Sequence, residues 1–432
     1  MFFDAAVTSS FLSTLALFLS TGRGNDNIFQ AGKQISRMPF QPLPSLTRNG
    51  MSKLSQRSLP VLKNDGTSTA GSESVTSAGN NMLVGRAVKQ EKYIELLAWL
   101  TSNGATVNEC LEIQPSSQGE QAGYGVFVKR PIEEGELLFS IPRNLCVTIE
   151  KATSSDDDDG GEFGKTLQAL IEKAGPGGIT VAMAGYMAKE YILTCLDEDD
   201  GEVGGNQKKS SRWGPYLALL PWKRGVNNQE HILFWNDQKI EDLLQGSLCY
   251  QEAKSLREEV ALSIRVLGPM LKRSVRVARG EESATTNALE RLSSLLPWQQ
   301  IQQGADLSDS LDDKLVADAI KGAFVSLLTR SFQDDESVEE DGCEKLVPLL
   351  DLMQHSDTPN VRHNVVNEGN GEDSAVEVRA RIPIAAGSEL WNQYRSEEDE
   401  AMPYSRFFTR FGFVPGINEP IENLLLDKST IF

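Results

Sequence analysis

Two short stretches of near-identical make constrain this chain more than any other feature. "PIEEG", residues 131–135, follows the β-like "YGVFV" and precedes "ELLFSIP"; "PIAAG", residues 383–387, follows "SAVEVRARI" and precedes "SELWNQY". About 250 residues lie between them. β-Branched and aromatic residues on either side of a Gly-containing turn mark strands, so each unit is expected to be a hairpin. The intervening chain is helical in pattern from about 165 to 332. In its clearest stretch Leu315/Val316, Ala319/Ile320, Ala323/Phe324 and Leu327/Leu328 form one stripe, with Ser310 and Asp313 as expected cap and capping-box partner. A β-core divided in this way must be reassembled in space. The fold class is therefore α+β.

Order is expected from about residue 87, because Tyr93, Leu96, Leu97 and Leu100 repeat at helical spacing before a Gly stop in "SNGA". Residues 64–86 are rich in Gly, Ser, Thr and Asn and read as a linker. Residues 1–63 hold nine Ser, seven Lys or Arg and two acids, and "FLSTLALFL" at 11–19 is too short to span a bilayer. The expectation is a targeting leader of the two-part plastid kind; the alternative is a disordered extension on a cytoplasmic protein. No later segment reads as membrane-spanning.

The chain as a whole carries a formal charge of −19, concentrated in acidic runs at 156–159, 197–202 and 334–341. Such a field repels a phosphate backbone, which argues against nucleic acid and for a protein partner with a basic surface. Five widely spaced cysteines with no C-x-x-C pair indicate neither a disulfide framework nor a zinc site. "GGEFGKT", 160–166, resembles a phosphate loop, but its first Gly is one position too close and no strand precedes it.

Taken singly, the polar candidates have ordinary readings. Gly123-Tyr124-Gly125 is a turn that also permits close backbone approach to a ligand. Arg330 near a helix C-terminus complements the dipole. Trp213, Pro215, Tyr216 and Trp222 read as core. His355 follows the apolar "LVPLLDLM" with Asp351, Gln354, Ser356 and Asn360 around it.

In order, however, "AGYGVFVKRPIEEGELLFSIPRNL", "RWGPYLALLP", "LLTRSF", "VPLLDLMQHS", "IPIAAGSELWNQY" and "FTRFGFVPG" resemble the SET-domain protein methyltransferases, in particular the Rubisco large-subunit methyltransferase subgroup. The resemblance covers about residues 88–415. It implies a SET fold of several small sheets with a pseudoknot, its β-part at about 110–150 and 344–415 interrupted by a helical inserted domain at 165–332, and a short tail at 416–432. It implies an S-adenosylmethionine-dependent methyltransferase acting on a lysine of a non-histone protein. The alternatives are a histidine methyltransferase of the same fold and an inactive SET-fold binding module. By the same resemblance Tyr394 is the catalytic tyrosine; Gly123, Tyr124, Gly125, Thr329, Arg330, Asp351, Gln354, His355, Tyr394 and Phe411 line the cofactor; and no metal is required. Gln354 replaces the family's Asn, Arg395 its Gly and Phe411 its Tyr. The subgroup's C-terminal helical domain, which grips protein substrates in many relatives, is not expected within the 432 residues.

Overall fold

The computed structural model describes residues 90–119, 122–154, 161–199, 211–222, 231–280, 311–332, 345–366, 374–394 and 404–414. The expected leader, the linker, Ser310, Arg395, the acidic runs at 156–159 and 334–341, and the tail lie outside the described residues.

Helix α1, residues 90–102, turns Tyr93, Leu96 and Leu100 into the core and stops where Gly104 takes φ +95°. Four strands follow: β1 (Thr106–Val107), β2 (Leu111–Pro115), β3 (Tyr124–Val128) and β4 (Leu137–Pro142). The hairpin expectation does not hold. β3 pairs with β2, and β4 pairs with β1 and with the distant β10 (Ala375–Ala380), which also carries β9 (Val361–Val366). Instead of folding back on themselves, the two "PI" units cross each other antiparallel. Ile132 and Ile384 exchange both backbone bonds at 2.9 Å, Val128 N–H donates to Ser388 O, and Leu390 N–H donates to Val126 O. Gly135 and Gly387, at φ +80° and +77°, make the equivalent turn in each unit. The physical reason is burial: Val126, Val128, Ile132, Ile384 and Leu390 are all enclosed, so an edge facing water in either hairpin is covered by the other unit.

The helical segment leaves from β5 (Val147–Thr148) and passes through α2 (Ile149–Ala152), α3 (Glu162–Ala174), α4 (Pro176–Asp199), α5 (Gly214–Leu217), α6 (Asp237–Leu244), α7 (Cys249–Ala278) and α8 (Asp313–Arg330). It returns in β6 (Ser331–Phe332), and both β5 and β6 pair with β7 (Lys345–Leu346), so departure and return are fastened to one strand. α3 starts within "GGEFGKT", with Gly161 at φ +74°, as a surface-to-core helix. α8 is capped by Asp312, whose carboxylate accepts from Lys314 N–H at 2.9 Å, and Asp313 is the first helical residue rather than a capping-box partner. Leu311 before the cap and Val316 one turn on both enter the core, which sets the start of the helix between them. On its buried face a Cβ on Gly322 would stand 2.6 Å from Trp222 Cα, and Tyr191 stacks on the same Trp222 at 4.0 Å. That close approach holds α8 against Trp222, and the helix ends at Arg330, where Ser331 turns extended.

After β7 the chain turns through Leu349, buried at φ +74°, a conformation that a branched side chain adopts only when its surroundings enforce it. β8 (Gln354–His355) then pairs parallel with β11 (Trp391–Asn392). Ser356 N–H donates to Asn392 O and Asn360 N–H to Trp391 O, so the C-terminal segment runs along the loop after "LLDLMQHS", as the implied pseudoknot requires. Helix α9 (Tyr404–Phe411) closes against the insertion: His231 Nε2 meets Arg410 O at 3.1 Å, Thr409 Oγ1 donates to Glu252, and Arg410 Nε donates to Leu328 O. No described helix is long and apolar enough to cross a membrane.

Candidate active site

Four segments far apart in sequence meet at the C-terminal end of α8. Arg330 Nη1 donates to Asp351 O at 3.0 Å and lies 3.4 Å from Asp351 Oδ2. The Arg330 side chain is 15% exposed and that of Asp351 1%. Tyr216, from α5, donates its hydroxyl to the same Oδ2 at 2.9 Å. Burial pushes the Asp351 carboxyl upward, against the opposing pull of Arg330 and of the Tyr216 hydrogen bond. Arg330 Nε and Asp351 Oδ1 are buried and have no hydrogen-bond partner among the described residues.

Gln354 reaches the glycine loop. Its amide nitrogen donates at 2.8 Å to both Ala122 O and Tyr124 O. Gln354 thereby clamps the glycine loop through two backbone carbonyls. Gly123 takes φ +75°, and a Cβ on Gly125 would run into the Glu389 carboxylate. Gln118 closes the other side by donating to His355 O at 3.0 Å.

His355 is a positional histidine. Its Nδ1 accepts from Tyr394 N–H at 3.2 Å, and its ring lies 5.3 Å from that of Tyr394 and 5.4 Å from Phe407. The Tyr394 hydroxyl donates to Met353 O at 2.7 Å, and burial pushes it well above the usual tyrosine range, so it stays protonated. Phe411 stands 5.3 Å and Phe413 6.3 Å from the Tyr394 ring. Thr329 is adjacent, but its hydroxyl donates back to Val325 O at 2.7 Å within α8. Among the described residues no group of His, Cys, Asp and Glu could hold a metal ion.

Two residues of the site, Tyr216 and Glu389, were not picked out by sequence reasoning. Tyr216 was read as core, and it is, at 2% exposure, but its hydroxyl belongs to the site. Glu389 is buried and accepts from Ser117 N–H and Ser117 Oγ at 2.8 and 2.6 Å. Its signal was available: a lone carboxylate directly before the apolar Leu390-Trp391. Asn360 joins the same segment, donating to Glu389 O and accepting from Trp391 N–H.

Crossed β-units around a helical insertion, with a parallel β8–β11 pair bringing a tyrosine beside a histidine, define a class, and this chain belongs to the SET domain family, whose profile matches residues 123–395. Among curated proteins it is similar to the N-lysine methyltransferase SETD6 of Rattus norvegicus, 26% identical over 309 residues, covering 69% of this chain and 50% of that protein. It is also similar to the actin-histidine N-methyltransferase of Gallus gallus, 24% identical over 329 residues, covering 74% and 43%. A crystal structure of the SET domain of LSMT bound to lysine and AdoHcy aligns at a TM-score of 0.49 with 15% identity, covering 75% of this chain and 57% of that one. The chain spans about half the length of the curated relatives it matches.

Proposed function

We propose that this chain is an S-adenosylmethionine-dependent protein methyltransferase that modifies a lysine side chain of a non-histone protein. The observation that carries the reading is that residues 351–355 bring together three hydrogen-bonded sets, Asp351 with Arg330, Gln354 with the glycine loop, and His355 with Tyr394. The order of the motifs and the relatives named N-lysine methyltransferase support it. The net charge of −19 supports a substrate with a basic surface.

The cofactor suits the buried groups left unpaired. Its amino-acid end carries a carboxylate and an ammonium, and Arg330 Nε and Asp351 Oδ1 are a buried donor and a buried acceptor of matching sign. Gly123, Tyr124, Gly125, Arg330, Asp351, Gln354 and His355 would hold it, with Thr329 and Phe411 at the margins. When bound, it supplies an electrophilic methyl on a sulfonium.

The chain's own residues then have limited work. A lysine amine is neutral about once in 2,500 molecules at pH 7, a deficit near 4.6 kcal/mol. His355 Nδ1 is already committed to Tyr394 N–H and the Tyr394 hydroxyl is a donor, so neither acts as a base. The aromatic wall of Tyr394, Phe407, Phe411 and Phe413 instead desolvates the amine, and burial of that kind lowers a lysine pKa by about 3 to 5. The proton leaves to water before the amine is enclosed. Holding the amine in line supplies the larger share, roughly 7 to 11 kcal/mol in favourable cases.

The test is calorimetry with S-adenosylmethionine, then incubation of the protein with methyl-labelled cofactor and a cell extract. A labelled band whose modified lysine is assigned by mass spectrometry is expected, with labelling reduced about 100-fold by Tyr394→Phe, the scale of a misplaced reacting group. Failure to bind either the cofactor or its demethylated product overturns the proposal in favour of a non-catalytic binding module. Label found on histidine transfers it to histidine methylation.

A further inference from the structure

We infer that Tyr216 is a positioning residue for the cofactor site: its hydroxyl shares Asp351 Oδ2 with Arg330 Nη1 and keeps the two charged groups from closing a two-bond fork, leaving Arg330 Nε unpaired for the carboxylate of the ligand. The inference rests on the S-adenosylmethionine reading above.

A buried tyrosine keeps its hydroxyl only where it finds a partner, and packing alone would accept Phe. Tyr216 is placed rigidly. It sits on α5, where Gly214 N–H donates to Ser211 O and Trp213 meets Tyr186 edge-on at 5.7 Å. Its hydroxyl spans 135 residues of sequence to Asp351 Oδ2. The Tyr216 contact, at 2.9 Å, is shorter than the Arg330 Nη1 contact to the same oxygen, at 3.4 Å. Arg330 is held mainly through the Asp351 backbone carbonyl, at 3.0 Å.

That is an unusual way to arrange a buried Arg and Asp. Left to themselves, guanidinium and carboxylate adopt a two-bond fork in which both oxygens are engaged. Here Oδ1 and Nε are both without a hydrogen-bond partner among the described residues, although the two side chains touch. The hydroxyl of Tyr216 accounts for this, because it takes Oδ2 at 2.9 Å and leaves that oxygen 3.4 Å from Arg330 Nη1, short of a closed fork. Without it, Asp351 is free to turn and close the fork on Arg330, and the anion-binding edge disappears into an internal ion pair. A residue of the helical insertion thereby keeps a cofactor contact available in the β-core.

The test compares two ligands on the full chain. S-adenosylmethionine carries the carboxylate; 5′-methylthioadenosine has the adenosine and the sulfur but lacks the amino-acid end. Tyr216→Phe is expected to weaken S-adenosylmethionine roughly ten- to a hundredfold, the range for a hydrogen bond to a charged group, and to leave methylthioadenosine within about twofold. KM for the cofactor rises while kcat at saturation is kept. Equal weakening of both ligands, or none of either, overturns the inference, because a structural role would not discriminate between them. A second arm uses Asp351→Asn, which cannot close an ionic fork: in that background Tyr216→Phe is expected to have no further effect on S-adenosylmethionine affinity. A persisting effect there also overturns it. If the unaltered protein binds neither ligand, it is the cofactor reading that fails.

Discussion

Gly125 shows how closely the loop and the tyrosine-bearing segment are fitted. Its missing side chain is the space into which Glu389 folds, and Glu389 in turn anchors Ser117. Gly125→Ala is expected to destabilise the protein by about 1 to 3 kcal/mol, the usual range for overpacking, and to weaken S-adenosylmethionine binding in calorimetry. A variant with unchanged melting temperature and affinity would show that the carboxylate can retreat. The residues around this joint were unevenly legible. Asp351, Gln354 and His355 stood out as a polar cluster behind an apolar stretch, and only the resemblance attached a cofactor role to them. The hydroxyl of Tyr216 did not stand out, since a tyrosine in an aromatic, apolar stretch looks the same whether its oxygen meets water or a carboxylate 135 residues away.

Among the secondary-structure units, α9 depends on a histidine at a distance. His231 is buried, accepts Leu233 N–H on Nδ1 and presents Nε2 to Arg410 O, an arrangement that requires the neutral ring. Burial lowers its pKa to about 4. The unfolded chain takes up a proton near 6.5, so this contribution is complete at neutral pH and is lost as pH falls from about 6.5 toward 4, by about 3 kcal/mol in all. On going from pH 7 to 4.5 the urea midpoint of His231→Gln is expected to rise relative to that of the unaltered protein, by the equivalent of about 2 kcal/mol; an identical pH slope in both would remove His231 from the account. Alternation marked β3, β4 and β10 as strands from sequence, but a strand pattern carries no address for its partner. Hence two hairpins were expected where two crossed units were found. The repeated "PI" and Gly turn, read as similarity, was in fact a statement of mutual pairing.

A second group, acting in the opposite direction, also shapes the acid response of the folded protein as a unit. Glu259, on α7, is largely buried, and that burial raises its carboxyl to about 7. A raised acid stabilises the fold below the unfolded value near 4.3 and loses that contribution as pH climbs through 7. Between about pH 4.5 and 6.5 the histidine and the carboxylate therefore nearly cancel. Glu259→Gln is expected to uncover the histidine slope, about 1.4 kcal/mol per pH unit in that window, and to be more stable than the unaltered protein at pH 8 by about 2 to 3 kcal/mol. Calorimetric unfolding across pH 4 to 8 reads both, and an unchanged curve would sink the assignment. The crossing of Ile132 with Ile384 carries a consequence for biosynthesis. While a ribosome is still extending the chain, the first unit has no mate, and at roughly 5 to 20 residues per second the wait lasts about 12 to 50 s. During that interval a sticky, half-made edge is open to other nascent chains, so chaperone supply, rather than intrinsic stability, should govern how much of this protein a cell accumulates.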